Sequence, residues 1–198
     1  MANHTGIVIL AAGNSSRLGQ PKQFLKYQDK TLLRHAAETA LASACDGPAV
    51  IVTGALHEEL FKECNDLPIG LVYNSNWQHG MATSIQTGLR ALEKARPNEL
   101  KGALIMLCDQ PLITAAHLDN LLDMFTAHQH RDITATAYAD VIGVPAIFSR
   151  ELFPKLYQLK GDKGARQLFT DPEQRLYTVP FTRAAIDIDT MEDYEGLI

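Results

Sequence analysis

Several things are scarce in this 198-residue sequence. It has three cysteines, Cys45, Cys64 and Cys108, and no CxxC pair. An odd count without paired spacing argues against a disulfide framework or a structural zinc site, and fits reduced thiols in the cytoplasm. Basic residues are outnumbered: 18 Lys and Arg stand against 23 Asp and Glu, for a formal net charge of −5. Nucleic-acid-binding chains ordinarily show a basic excess, so no nucleic-acid partner is expected. An anionic ligand must then be held by a local cluster of cations rather than by a general field. No stretch approaches the ~18 uninterrupted apolar residues that a membrane span needs. The opening Met1-Ala2-Asn3-His4-Thr5 lacks a basic stretch and does not resemble a secretory signal. Repeats, low-complexity tracts and linkers are missing too. What remains is 46% hydrophobic and 21% charged, the composition of a globular chain. Its length fits one domain over residues 1–198.

Periodicity divides the chain into alternating elements. Gly6 to Leu10 is a short β-branched run that predicts a buried strand feeding a loop. Thr31 to Ala44 has helical spacing, and Asp46-Gly47-Pro48 stops it. Ala49–Thr53, Ile69–Tyr73 and the very apolar Ala103–Leu107 read as strands. Leu56–Cys64, Met81–Ala95 and Thr114–Ala127 read as helices, the last with Thr114 as N-cap. Later, Ile133–Tyr138 and Val144–Phe148 predict strands, and Glu151–Leu159, Ala165–Phe169 and Thr190–Leu197 short helices. Strands alternating with helices imply βαβ units and a mostly parallel sheet.

The first loop is the richest in chemistry: Leu10-Ala11-Ala12-Gly13-Asn14-Ser15-Ser16-Arg17-Leu18-Gly19-Gln20-Pro21-Lys22. It follows a buried strand, and open α/β sheets bind ligands beyond the carboxyl ends of their strands. Small residues let backbone N–H groups approach a phosphate, and Arg17 and Lys22 add positive charge. The loop is neither a P-loop nor a dinucleotide fingerprint. A solvated surface loop is the plain alternative. Cys108-Asp109-Gln110-Pro111 puts an acid at the end of the fourth strand, where a hard cation such as Mg²⁺ would take one or two carboxylates plus phosphate oxygens. Asp109 is therefore either a metal ligand or a turn residue before Pro111. Asp187 and Asp189 lie two apart and share a face on an extended chain. One of them could complete a metal site with Asp109, or Asp189 or Thr190 could simply cap the last helix.

Gly80-Met81-Ala82-Thr83-Ser84 opens a helix and offers hydrogen-bond donors to a ligand, or ordinary caps. Gly161-Asp162-Lys163-Gly164-Ala165-Arg166 could clamp an anion, or be a solvated turn. Other candidates fail. His57-Glu58-Glu59-Leu60-Phe61 lacks the second His of a zinc-protease helix. Ser15 and Ser16 have no nucleophile elbow. His128-Gln129-His130 reads as an exposed helix end, and Trp77 suits either the core or a ligand stack.

Taken together and in this order, these segments resemble the MobA-like nucleotidyltransferases. Within that family they look most like the molybdenum cofactor cytidylyltransferases. The resemblance rests on Leu10-Ala11-Ala12-Gly13-x-Ser15-x-Arg17-Leu18-Gly19-x-Pro21-Lys22 and Cys108-Asp109-Gln110-Pro111. It rests further on Gly80-Met81-x-x-Ser84-Ile85-x-x-Gly88-Leu89, Gly143-x-Pro145-x-x-Phe148, the Gly161–Arg166 loop and Asp187-Ile188-Asp189-Thr190-x-Glu192-Asp193. It implies a Rossmann-like three-layer α/β/α fold with a mostly parallel sheet. It also implies Mg²⁺-dependent transfer of a nucleoside monophosphate from an NTP with release of pyrophosphate.

By the same resemblance, Leu10, Ala11, Ala12, Gly13 and Ser84 contact the nucleoside, and Arg17 and Lys22 the phosphates. Asp109 holds Mg²⁺ with Asp187 or Asp189, Asp189 being favoured by its place in the motif. Lys163 and Arg166 face the acceptor. Ala-Ala-Gly in the first loop goes with cytidylyl transfer and Ala-Gly-Gly with guanylyl transfer, so Ala12 points to CTP rather than GTP. Met191 stands where many relatives have Pro. The acceptor would be a molybdopterin-type cofactor, with a molybdenum hydroxylase apoenzyme as a possible downstream partner. Two rivals stand beside this: the same enzyme class acting on a sugar or polyol phosphate, and a non-catalytic chaperone that delivers the cofactor.

Overall fold

The computed structural model describes residues 3–13, 20–138, 140–188 and 190–197. Its centre is strand β1 (Thr5–Ala11), buried along its whole length. Side chains alternate across a strand, and here both faces are apolar. Val8 and Leu10 enter one core, Ile7, Ile9 and Ala11 the other. Such a strand has to lie inside a sheet covered on both sides.

The chain builds that sheet in order. A small hairpin, β2 (Lys26–Tyr27) and β3 (Lys30–Thr31), precedes helix α1 (Leu32–Leu41), whose first turn is capped by Thr31 accepting from the Arg34 N–H. Then come β4 (Ala49–Thr53), α2 (His57–Cys64), β5 (Gly70–Tyr73), α3 (Met81–Ala95), β6 (Gly102–Leu107) and α4 (Ala115–Ala127). Thr114 caps α4 through the His117 N–H, as its position predicts. The last part holds β7 (Ile133–Tyr138), β8 (Val141–Ser149), α5 (Phe153–Tyr157), α6 (Arg166–Phe169), β9 (Leu176–Pro180) and α7 (Met191–Glu195).

Among the described residues, seven strands form one sheet in the order β5-β4-β1-β6-β8-β7-β9. The α/β expectation holds: β5, β4, β1 and β6 are parallel, and β9 is parallel to β7. Strand β8 alone runs against its neighbours β6 and β7. Helices α3, α5 and α6 cover one face and α1, α2 and α4 the other, giving three layers. No helix among the described residues is long and apolar enough to cross a membrane.

The sequence-based expectations need three corrections. Strand β9 lies in a segment with no predicted strand; its residues are only partly buried or exposed, so no apolar run marks it. Strand β8 begins at Val141 rather than Val144, because the pairing shifts near Ala135 and Thr136 and the bulged strand continues past Val144-Pro145. The pair His128 and His130 is half-buried rather than exposed: His128 stacks on Tyr177 with ring centroids 3.5 Å apart, and His130 meets the edge of Phe125 at 5.3 Å. The three cysteines are free thiols. Burial pushes Cys45 and Cys64 up to about 11 and Cys108, beside Asp109, up to about 12.

Candidate active site

The parallel register brings three strand ends together. Leu10 lies opposite Leu107, and Ala11 opposite Thr53. The chain fills β4 and β5 on one side of β1 and β6 on the other, so the strand order reverses between β1 and β6. Open α/β sheets bind ligands at such a switch point. Asp109 stands there, two residues beyond Leu107, and is only 7% exposed.

One oxygen of Asp109, Oδ2, forms an ion pair with Lys22 Nζ. The other, Oδ1, is buried and has no hydrogen-bond partner among the described residues. A carboxylate oxygen withdrawn from water without a partner is costly, and a bound cation would remove that cost. The donor set is of the hard-oxygen kind that Mg²⁺ or Mn²⁺ prefers.

The C-terminal segment closes on the same place. Ile188 donates its N–H to the Asp109 carbonyl at 3.1 Å, and its own carbonyl accepts from Lys22 Nζ at 3.4 Å. Its side chain is fully buried against Leu25 and Leu32. That packing sets Asp187 along a cavity shared with Lys22 and Asp109. Asp189 and Arg17 lie outside the described residues. Thr190, not an aspartate, caps α7, in a reciprocal capping box with Asp193.

Two cavities meet at the strand ends. The first, of about 380 Å³, is lined by Leu10, Ala11, Ala12, Gly13, Ser84 and Trp77 among others. The second, of about 710 Å³, takes in Ile85, Val144, Lys163, Arg166 and Asp187. Lys22, Asp109 and Asp162 belong to both. Both volumes lie in the ordinary range of small-molecule sites. The sequence candidates are thus gathered on two sides of one charged junction: Leu10 to Gly13 and Ser84 on one side, Lys163 and Arg166 on the other.

The sequence assigned no shaping role to the buried polar residues of this junction. Gln23 is buried, and its side-chain amide donates to the carbonyls of Ala11 at 3.0 Å and Gly13 at 2.6 Å, fixing the loop after β1. Asn74 is 2% exposed and donates to Ser84 Oγ at 3.0 Å and Thr83 Oγ1 at 2.9 Å, orienting the start of α3. Gln110 donates to the carbonyls of Val144 and Ala184, each at 3.2 Å, tying the Asp109 loop to the wall of the second cavity. A polar residue directly after a strand, as at Asn74, was the one available signal. Burial of Gln23 and Gln110 is a tertiary property. Trp77 is half-buried at the mouth of the first cavity, packed against Gly54; a Cβ on Gly54 would stand 2.8 Å from its ring.

The chain is similar in sequence and fold to several known proteins. The MobA-like NTP transferase domain matches residues 7–176. Nicotine blue oxidoreductase of Paenarthrobacter nicotinovorans is 33% identical over 96% of this chain and 95% of its own. The purine catabolism protein PucB of Bacillus subtilis is 28% identical over 95% and 93%. Molybdenum cofactor cytidylyltransferase of Escherichia coli is 23% identical over 94% and 92%. Among solved structures, the Rv0371c protein of Mycobacterium tuberculosis superposes with a TM-score of 0.86 at 30% identity, covering 100% of this chain and 98% of that one. The same mycobacterial protein has been crystallised in complex with manganese, a structure with TM-score 0.80 and 27% identity over 98% of this chain and 97% of that one. The domain match spans most of the sequence, and the Rossmann-like three-layer fold is that of these neighbours. The chain belongs to the family of MobA-like NTP transferases.

Proposed function

We propose that the chain, acting as one domain over residues 1–198, transfers CMP from CTP to the phosphate of a molybdopterin-type cofactor and releases pyrophosphate. The observation that carries this is the Lys22–Asp109 pair, with its unpartnered Asp109 Oδ1, at the junction of two cavities. Group transfer between two substrates needs such a junction. The names of the relatives point in several directions, and cytidylyl transfer is the named reaction whose chemistry this donor set fits.

The first cavity would take the nucleoside. Ala12 is buried in its wall, and its methyl group narrows the space for a base, which favours a pyrimidine over guanine. Ser84, oriented by Asn74, supplies a hydroxyl to the nucleoside. Lys22, and Arg17 from the loop before it, would hold the phosphates. Lys163 and Arg166 would hold the acceptor's phosphate in the second cavity, whose apolar walls at Ile85 and Val144 suit a ring system. Mg²⁺ would be held by Asp109 with Asp187 or Asp189. When bound, it supplies charge neutralisation at the phosphates.

An acceptor phosphate oxygen then attacks the α-phosphorus. A new P–O bond forms, the bond from the α-phosphorus to the bridging oxygen breaks, and pyrophosphate departs with that electron pair. Lys22 offsets the charge that develops, so catalysis rests on positioning and electrostatics. An acceptor that is already a phosphate monoester needs little help from a base, and among the described residues no histidine lines either cavity.

The test is pyrophosphate release with Mg²⁺ and each of CTP, GTP, ATP and UTP, with and without reduced molybdenum cofactor. Release from CTP that depends on the cofactor is expected. CTP binding without release would move the acceptor to a sugar or polyol phosphate. Cofactor binding with no nucleotide turnover would favour the delivery chaperone that could serve a molybdenum hydroxylase.

A further inference from the structure

Asp162 has no role in the function just proposed, and its position calls for one. It is exposed, on the loop between α5 and α6, and lines both cavities. Its loop-mates Lys163 and Arg166 line only the second. The loop is docked on the start of α3, where the Ala82 N–H donates to the Gly161 carbonyl at 3.1 Å. Gly80 has φ +97°, and a Cβ there would stand 2.5 Å from Asp162 Oδ1. The carboxylate therefore lies against the Gly80 backbone, and Gly80 lines the first cavity but not the second.

A carboxylate in a site built for a triphosphate is a constraint. It repels phosphate oxygens, so it has to face another part of the ligands. Neutral hydrogen-bond donors are the part of a nucleotide that suits a carboxylate. Ala12, Ser84, Lys22 and Asp109 all line the first cavity, and the reading above puts the base at the first two and the phosphates at the last two. On that reading the sugar would lie between them, in a cavity that Gly80 and Met81 also line. A carboxylate accepts two hydroxyl hydrogens at once, and acidic residues serve vicinal ribose hydroxyls in other α/β nucleotide sites.

Building on the proposed nucleotide site, we propose that Asp162 is the sugar-reading residue: its carboxylate accepts from the 2′- and 3′-hydroxyls of the nucleotide and selects ribonucleotides.

The test is calorimetric titration of the full chain with CTP and with 2′,3′-dideoxy-CTP, in Mg²⁺ and without acceptor, for wild type, Asp162→Ala and Asp162→Asn. Thermal unfolding controls for folding. Wild type should bind CTP at least about tenfold tighter than the dideoxy analogue, the scale of one charge-assisted hydrogen bond. Asp162→Ala should weaken CTP about tenfold and leave the analogue within about twofold, so discrimination collapses. Asp162→Asn should fall between. Equal binding of both nucleotides by wild type overturns the assignment to Asp162 and leaves the nucleotide site standing. So does an equal loss of both in Asp162→Ala. Binding of neither nucleotide by wild type overturns the nucleotide site itself.

Discussion

At Asp109 the two oxygens of one carboxylate have different fates. Oδ2 neutralises Lys22, while Oδ1 is buried with no partner among the described residues. Asp109→Asn keeps the shape and removes the charge. Pyrophosphate release should fall at least about 100-fold, the cost of losing one electrostatic contact to the transition state. Lys22 keeps its bond to the Ile188 carbonyl, so the fold should survive, with a Tm loss under about 5 °C by thermal unfolding. Full activity in this variant would remove Asp109 from the chemistry. The residue itself was legible in sequence, from an acid at a strand end. Its pairing with Lys22, 87 positions earlier in the numbering of the chain, was not, because that contact exists only once β1 and β6 lie side by side. His117 is a different case. It is 1% exposed and stacked on Phe181 at 4.3 Å. Thr136 Oγ1 donates to the Pro145 carbonyl at 2.7 Å, so it accepts from His117 Nε2 at 2.8 Å, which leaves the buried Nδ1 bare. Protonating Nδ1 would bury a charge without a partner, and burial lowers the pKa from 6.5 to about 4. The folded state thus binds that proton more weakly than the unfolded chain. Stability is full above pH 6.5 and declines as pH falls toward 4, by at most about 3 kcal/mol for this group. Burial lowers His35 and His130 as well. The comparison is therefore with His117→Gln, whose urea-unfolding free energy should fall less steeply with acid. Parallel pH profiles would show that His117 titrates normally.

Elements differed in how openly the sequence announced them. Helix α3 was predicted over its observed range because its apolar positions recur at helical spacing and Pro97 follows its end. The short hairpin β2–β3 has two-residue strands and no periodicity to detect. Strand β9, with five residues and no fully buried side chain, is held by its ladder to β7 rather than by a pattern of its own. The close seating of α3 on the sheet was likewise hidden, although Gly88 hinted at it. A Cβ on Gly88 would meet Val8 Cγ1 at 2.4 Å and Val52 Cγ2 at 3.1 Å. Those branched side chains are fully buried in central strands and have little room to turn. Gly88→Ala gains about 1 kcal/mol of helix propensity and costs about 1–3 kcal/mol of overpacking. The net effect should be a lower Tm, by up to about 6 °C, with pyrophosphate release per folded molecule retained. A raised Tm would mean that α3 can lift off β1 and β4 without strain.

On the scale of the whole molecule, the alternation of strands and helices made the layered architecture legible. The strand order was out of reach, since it follows from which crossovers pack best against the twisted sheet. That order puts the Leu10–Gly13 loop, the start of α3 and the Asp187–Ile188 segment around one junction, though they are far apart in sequence. It also concentrates charge there. Asp109, Asp162 and Asp187 line the second cavity together with Lys22, Lys163 and Arg166, so the described cations and acids there balance. The added charge of a nucleoside triphosphate then needs a counter-charge, which the metal proposed at Asp109 would supply, so nucleotide and divalent cation should stabilise the fold together more than separately. At about 100 times Kd a ligand adds roughly 2.7 kcal/mol, or about 5–10 °C of Tm in a chain of this size. Thermal unfolding with CTP and Mg²⁺ should show that rise. CTP with a chelator, or Mg²⁺ alone, should give less than about a third of it. An equal rise with chelated CTP would mean that Lys22 and its neighbours suffice for the phosphates, and would remove the cation from nucleotide binding. Asp109→Asn should narrow the gap between the two conditions, because it removes the carboxylate whose second oxygen has no protein partner among the described residues.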